Sequence, residues 1–267
     1  MLLQNLPHIT VRSSGRSLRG RARVGKRRES PVATPRVEAL EQRLMLAFQP
    51  RDLLIADPAT DSIRRFDGST GASLGTFVAG GSGGLVDPHD PTFGPDGNLY
   101  VVSNAPGAQK ILRFDGTTGA SLGTFVDTGV GGFGGASALA FGPNGDLYVA
   151  TATSAGVLRY DGTTGAFEGI AAGGNGIRRA CGAEFGPDGH LYVLDADAFI
   201  DTADVRILRF DADTGAFLDV FVQPGSLKDS CLFAFGPDGH LYVPDRILEE
   251  TRSFNGTTGE LQQVFPR

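Results

Sequence analysis

The stretch FGPDGNLYV, Phe93 to Val101, returns as FGPNGDLYV from Phe141 and as FGPDGHLYV from both Phe185 and Phe235. The steps between copies are 48, 44 and 50 residues. A second marker keeps the same beat: RFDGSTG from Arg65, RFDGTTG from Arg113, RYDGTTG from Arg159, RFDADTG from Arg209 and SFNGTTG from Ser253. FQPRDLLIA, from Phe48, is a degenerate first copy, so the body of the chain is five copies of one unit. Periods of this length mark an array of supersecondary units, each unable to bury its apolar face alone.

Each unit reads as four short strands. The first ends in the Phe of FGP, and the P-D-G or P-N-G after it is a tight turn, with Pro presetting the entry and Gly accepting positive φ. LYV follows as a strand suited to a pleated, buried surface. ILRFD, from Ile111, alternates its side chains between two faces. The DGTTG turn then leads to a fourth strand such as SLGTFV, Ser121 to Val126. The fold expected is all-β, a β-propeller of four-stranded antiparallel blades with five repeats. Their bounds are about 44–79, 88–127, 136–172, 180–223 and 230–267.

The aromatic positions say why the blades need one another. Phe48, Phe93, Phe141, Phe185 and Phe235 end the first strand; Phe66, Phe114, Tyr160, Phe210 and Phe254 sit on the third; Phe77, Phe125, Phe221 and Phe265 sit on the fourth. An isolated sheet would expose these rings, and stacking on neighbours buries them at roughly 25 cal/mol per Å² of apolar surface.

Composition agrees. In 267 residues, 39 Gly and 15 Pro are too much punctuation for a helical bundle, while 40% hydrophobic residues suffice for a packed core. The net charge of −6 hides an asymmetry: residues 1–50 carry ten Arg and Lys against three acids, leaving 14 basic and 27 acidic residues in the remainder. An acidic body disfavours nucleic acid, whose phosphates it repels. No stretch approaches the roughly 20 apolar residues of a membrane-spanning helix. Two Cys are too few for a disulfide framework.

Residues 1–43 form a basic segment without helical or strand periodicity, and read as disordered. Across its end, PRVEALEQRLMLA, Pro35 to Ala47, resembles the LEPR-type N-terminal motif of planctomycete-like surface proteins. Leu40, Glu41 and Arg43 match, and Gln42 departs from the usual Pro or Asp. That resemblance implies a secreted or envelope address. A cytoplasmic protein with a nucleic-acid-binding arm is the competing reading of the same charge.

The repeats themselves resemble the NHL-repeat and TolB-like propeller families, which share G-x-LYV-x-D followed by I-x-x-F. Asp57, Asp195 and Asp245 match the acid closing the second strand, where Ser103 and Thr151 stand in two copies. Those families usually close with six blades, whereas this chain has five units. The resemblance implies either a binding platform or an enzyme of the gluconolactonase-like or streptogramin-lyase-like type, whose channels hold a divalent cation. Neither enzyme signature transfers: the His residues are His8, His89, His190 and His240, and the last two share the DGH turn. No nucleophile elbow, phosphate loop or triad spacing is present, and VAGGSGG (from Val78) and TGVGGFGG (from Thr128) read as loops between blades.

Two sets of residues are candidates for chemistry. Four residues before the Phe of the first strand stand Leu44, His89, Ser137, Cys181 and Cys231, a ring expected to face the channel, with Asp90, Glu184 and Asp229 close in sequence. His89 with two thiolates is a zinc set; the two Cys pair as a disulfide in an oxidising compartment; or they line a packed channel as small apolar residues. The second set is Asp195, Asp197, Asp201 and Asp204, crowding the longest loop of a blade, where oxygen ligands suit calcium. It lacks the Gly and terminal Glu of a calcium-loop motif, and a solvated acidic loop is the other reading. The function expected is a non-catalytic, monomeric module binding a protein or a carbohydrate, with no cofactor unless Ca2+ or Zn2+ occupies one of these sets. The alternative is a metal-dependent hydrolase or lyase centred on His89 and the channel acids.

Overall fold

A computed structural model describes residues 52–152, 156–196 and 205–266. Its first sheet holds β1 (Leu53–Asp57), β2 (Ser62–Phe66) and β3 (Ser73–Val78). The second holds β4 (Pro88–Phe93), β5 (Leu99–Ser103), β6 (Lys110–Phe114) and β7 (Ser121–Val126). The third holds β8 (Ala136–Phe141), β9 (Leu147–Thr151), β10 (Gly156–Tyr160) and β11 (Phe167–Gly173). The fourth holds β12 (Ala180–Phe185), β13 (Leu191–Asp195), β14 (Val205–Phe210) and β15 (Phe217–Leu227). The fifth holds β16 (Ala234–Phe235), β17 (Leu241–Asp245), β18 (Glu250–Phe254) and β19 (Leu261–Pro266). Every pairing is antiparallel between sequence neighbours, and the sheets are the blades of a five-bladed β-propeller. The first-blade strand expected at Leu44 to Phe48, and the basic segment 1–43, lie outside the described residues.

Turn chemistry sets the strand lengths. In each FGPDG-type turn the side chain after Pro caps the backbone two residues on, as Asp96 Oδ1 accepts the Asn98 N–H at 3.0 Å. The other oxygen of Asp96 accepts the Tyr100 hydroxyl at 3.1 Å, so the LYV tyrosine buries its ring while its tip is satisfied at the turn. In DGTTG, Asp115 Oδ1 accepts the N–H of Thr117, the N–H of Thr118 and the Thr118 hydroxyl. The final glycine, Gly119, has φ of +71°, and a Cβ there would lie 2.0 Å from the carbonyl oxygen of Phe77 on the preceding blade. This turn therefore docks each blade on its neighbour, and only glycine fits.

The tyrosine of the second strand is the pin between blades. Tyr100 meets Phe125 of its own blade and Phe141 of the next edge-on, at 4.8 and 4.9 Å between ring centres. Tyr148 meets Phe185 likewise at 4.8 Å, and Tyr192 meets Phe221 and Phe235 at 4.9 Å. The pattern stops at the two ends. Leu53 and Ile55 of β1 are 53% and 43% exposed, whereas Leu99, Val101, Val149, Val193, Leu241 and Val243 at the equivalent positions are 0% exposed. Tyr242 of the fifth blade is only half-buried, and its ring lies 6.1 Å from Phe265. The outer walls of the first and last blades are thus uncovered where every internal wall is sealed.

Candidate functional site

The innermost strands β4, β8 and β12, together with the segment leading into β16, enclose a cavity of about 360 Å3 at the propeller axis. Phe141, Phe185 and Phe233 give it apolar walls, and Asp90, Glu184 and Cys231 give it polar ones.

Asp90 reaches the cavity through a backbone irregularity. His89 pairs with Val102 and Thr92 with Tyr100, so two residues bulge out between them. Pro91 has no N–H to give the ladder, which an edge strand tolerates. Asp90 itself takes φ of +46°, a conformation Asp tolerates better than most residues. The bulge carries its carboxylate to the next blade, where Oδ2 accepts the Leu139 N–H. Burial pushes this carboxyl up to about 6, against the opposing pull of the Leu139 hydrogen bond and of His89. Glu184, on β12, accepts the Phe235 N–H of the fifth blade at 3.4 Å. Burial, with a smaller contribution from the charge of Asp90, raises it to about 7 against the pull of the Phe235 hydrogen bond. Two carboxyls raised chiefly by burial therefore line the same cavity, and the charge of Asp90 disfavours ionisation of Glu184.

The thiols also come together. Cys181 is buried and Cys231 half-buried; both are free. The Cys181 thiol donates to the Ser230 carbonyl oxygen at 3.6 Å, which brings it beside the next residue, Cys231. Interaction with the Cys181 thiol, together with the charges of Arg179 and Arg246, lowers the Cys231 thiol, while the Cys231 sulfur and burial raise Cys181. Ser137, at the equivalent position one blade earlier, donates its hydroxyl to the Ala180 carbonyl at 2.9 Å. Ser137 and Cys181 thus each tie their inner strand to the next.

His89 does not join the thiols. Its Nε2 lies 3.3 Å from Asp87 Oδ1, the ring is 45% exposed, and it is not part of the cavity wall. The physical reason is the bulge: it turns Asp90, one residue on, toward the axis in place of His89. Asp229 is also directed elsewhere, pairing with Arg246 at 2.7 Å.

Of the acidic loop, Asp197, Asp201 and Asp204 lie outside the described residues. Asp195 is 0% exposed, and its donors come from the protein. It accepts the Arg178 and Arg179 N–H groups at 2.9 Å each and both Nε and NH2 of Arg206 at 3.0 and 2.9 Å. Asp245 holds the fifth blade the same way, accepting the N–H groups of Lys228, Ile247 and Leu248. The acid closing the second strand is a clasp on the loop that enters the innermost strand. Among the described residues, Asp146, Asp161 and Glu168 bring ligand atoms within 4.8 Å of one another, but Arg159 already sits there, 2.8 Å from Glu168.

No family model matches the sequence, and no curated protein sequence does. Solved structures do match. Over 80% of this chain it is similar to the hydrazine synthase of Kuenenia stuttgartiensis, with a TM-score of 0.57 and 17% identity, covering 62% of that chain. Over 80% it is similar to a catalytically inactive virginiamycin B lyase from Staphylococcus aureus with quinupristin, with a TM-score of 0.57 and 13% identity, covering 66% of that chain. Over 81% it is similar to a chain of the nidogen/laminin complex, with a TM-score of 0.56 and 14% identity, covering 93% of that chain. The shared feature is the propeller. At these identities the likeness is one of fold, and this chain spans less than two thirds of the synthase and lyase chains. Among the described residues no helix is long and apolar enough to cross a membrane.

Proposed function

We propose that this protein is a non-catalytic propeller of the NHL-repeat or TolB-like kind, acting at the cell surface or outside the cell, whose axial cavity binds a cationic group of a protein ligand. The observation carrying this reading is that Asp90 and Glu184, both raised by burial, line one cavity walled by phenyl rings. As pH rises through about 6 and 7 these carboxyls ionise, and the cavity gains negative charge beside its apolar walls. A lysine or arginine side chain offset by aromatic faces complements that environment. The acidic body adds long-range attraction for such a ligand. The LEPR-like stretch from Pro35 to Ala47 supports the extracytoplasmic address.

The test is titration of a fluorescent hexa-arginine peptide and a neutral oligosaccharide onto the full-length protein at pH 5 and pH 8. Peptide affinity is expected to rise at least about tenfold from pH 5 to pH 8, because cations are bound by the ionised pair. The Asp90→Asn/Glu184→Gln double variant should lose that pH dependence while retaining the weak, salt-sensitive attraction of the acidic body. Tighter binding of the oligosaccharide, unchanged by pH, would replace the protein ligand by a glycan.

A second reading, a metal-dependent hydrolase or lyase, draws on the same pair, because carboxyls with raised pKa serve as acid–base groups. Elemental analysis of the purified protein separates the two: stoichiometric zinc, calcium or magnesium with turnover on a lactone favours the enzyme.

A further inference from the structure

The two thiols belong to different blades. Cys181 stands on β12 of the fourth, and Cys231 on the segment entering β16 of the fifth. The backbones nearly touch here: a Cβ on Gly182 would lie 3.0 Å from the Cys231 carbonyl oxygen and 3.2 Å from the Phe233 ring. The Cys181 sulfur reaches across this close approach to the carbonyl oxygen of Ser230, the residue before Cys231, at 3.6 Å, so the two cysteines meet at the seam. Their surroundings differ. Cys231 is half-buried and lines the axial cavity, open to a small molecule, whereas Cys181 is buried behind it. The segment bearing Cys231 is also the least anchored part of any inner strand. β16 pairs through two residues where the other inner strands run to six, and Leu232 is 65% exposed.

We infer that Cys181 and Cys231 form an oxidation site: Cys231 is the nucleophile toward a small hydroperoxide entering the cavity, Cys181 is the resolving thiol, and their disulfide joins blade 4 to blade 5. In the first step the Cys231 thiolate attacks a peroxide oxygen; the S–O bond forms, the O–O bond breaks, and the leaving alkoxide or hydroxide takes up a proton from water. Sulfur is oxidised to sulfenic acid, and the peroxide is reduced to an alcohol or water. In the second step the Cys181 sulfur attacks the sulfenic sulfur; the S–S bond forms, the S–O bond breaks, and the hydroxide leaves as water with the Cys181 proton. Two thiols and one hydroperoxide thus give one disulfide, one alcohol or water, and one further water. The chemical conditions are those of a redox-reactive cysteine: partial exposure at the cavity wall, neighbouring Arg179 and Arg246 that favour the thiolate, and an adjacent resolving thiol. The disulfide would tether the loosely paired segment beside Glu184, whose carboxylate accepts the Phe235 N–H. This inference does not depend on which ligand the cavity binds.

The experiment starts from fully reduced full-length protein, adds one equivalent of hydrogen peroxide at pH 7.5, and follows free thiols and disulfide-linked peptides by mass spectrometry. The expected result is loss of both thiols within one chain, a linked peptide pair containing Cys181 and Cys231, and recovery of both thiols with dithiothreitol. Cys231→Ser should slow peroxide consumption by about tenfold or more and leave Cys181 reduced. Cys181→Ser should stop the reaction at a sulfenic acid trapped by dimedone. Thiols that stay reduced, a Cys231→Ser protein that reacts as fast as the wild type, or linkage only between separate chains would overturn the inference. The wild-type peptide map stands by itself should either variant fold poorly.

Discussion

Replacing Asp195 by Ala is expected to lower the unfolding free energy by about 3 kcal/mol, at the low end for removing one partner of a buried ion pair. The low end applies because Arg206 keeps 18% of its side chain in contact with water, while Asp195 has none. The loss has two parts. The Arg178 and Arg179 N–H groups lose their acceptor, and Arg206 loses its bidentate partner. Asp195→Asn keeps an oxygen for the two N–H groups and gives up the charge, so it should fall between wild type and Asp195→Ala. Chemical denaturation read by linear extrapolation measures all three. Equal stability of Asp195→Ala and wild type would show that the clasp described for this residue is not formed.

The second large effect separates internal from terminal blade walls. Tyr192→Ala is expected to cost about 4 kcal/mol, the usual cost of emptying a large aromatic site in a core that collapses only partly. Tyr192 is fully buried and meets Phe221 of its own blade and Phe235 of the next. Tyr242→Ala removes the same side chain from the equivalent position of the last blade, where the ring is half-buried and meets Phe265 at 6.1 Å. Its cost should stay near 1 kcal/mol, as for a site that is not sealed. Denaturation midpoints of the two variants, compared side by side, read the difference. Costs that match would mean the outer wall of the fifth blade is covered in solution as tightly as the internal walls are.

The architecture was legible because its markers are backbone requirements. Gly119 can be nothing else beside the Phe77 carbonyl, and Tyr100 needs both the Asp96 turn and the neighbouring Phe141 ring, so these residues recur at the blade period. The nearness of Cys181 to the segment bearing Cys231 follows the repeat, since counting back four residues from each FGP phenylalanine finds equivalent places in adjacent blades. The cavity was less legible. Strand alternation aims His89 at the axis, but the bulge ahead of Pro91 moves Asp90 there and leaves His89 with Asp87. Nothing in the spacing of PHDPTF announces a positive φ. For Asp195, sequence shows a crowd of acids and not their donors. The two arginine N–H groups and Arg206 that absorb its charge become visible only when the entering loop folds back.

Residues from four different blades meet at one cavity, and Glu184 reports on that directly. Carbon-13 NMR titration of the Glu184 side-chain carboxyl, in the wild type and in Asp90→Asn, is the measurement. Glu184 is expected to titrate near 7 in the wild type, and lower in Asp90→Asn, because the Asp90 charge that disfavours its ionisation has been removed. A Glu184 carboxyl titrating near its ordinary 4.5, or one indifferent to the charge at position 90, would contradict the shared cavity.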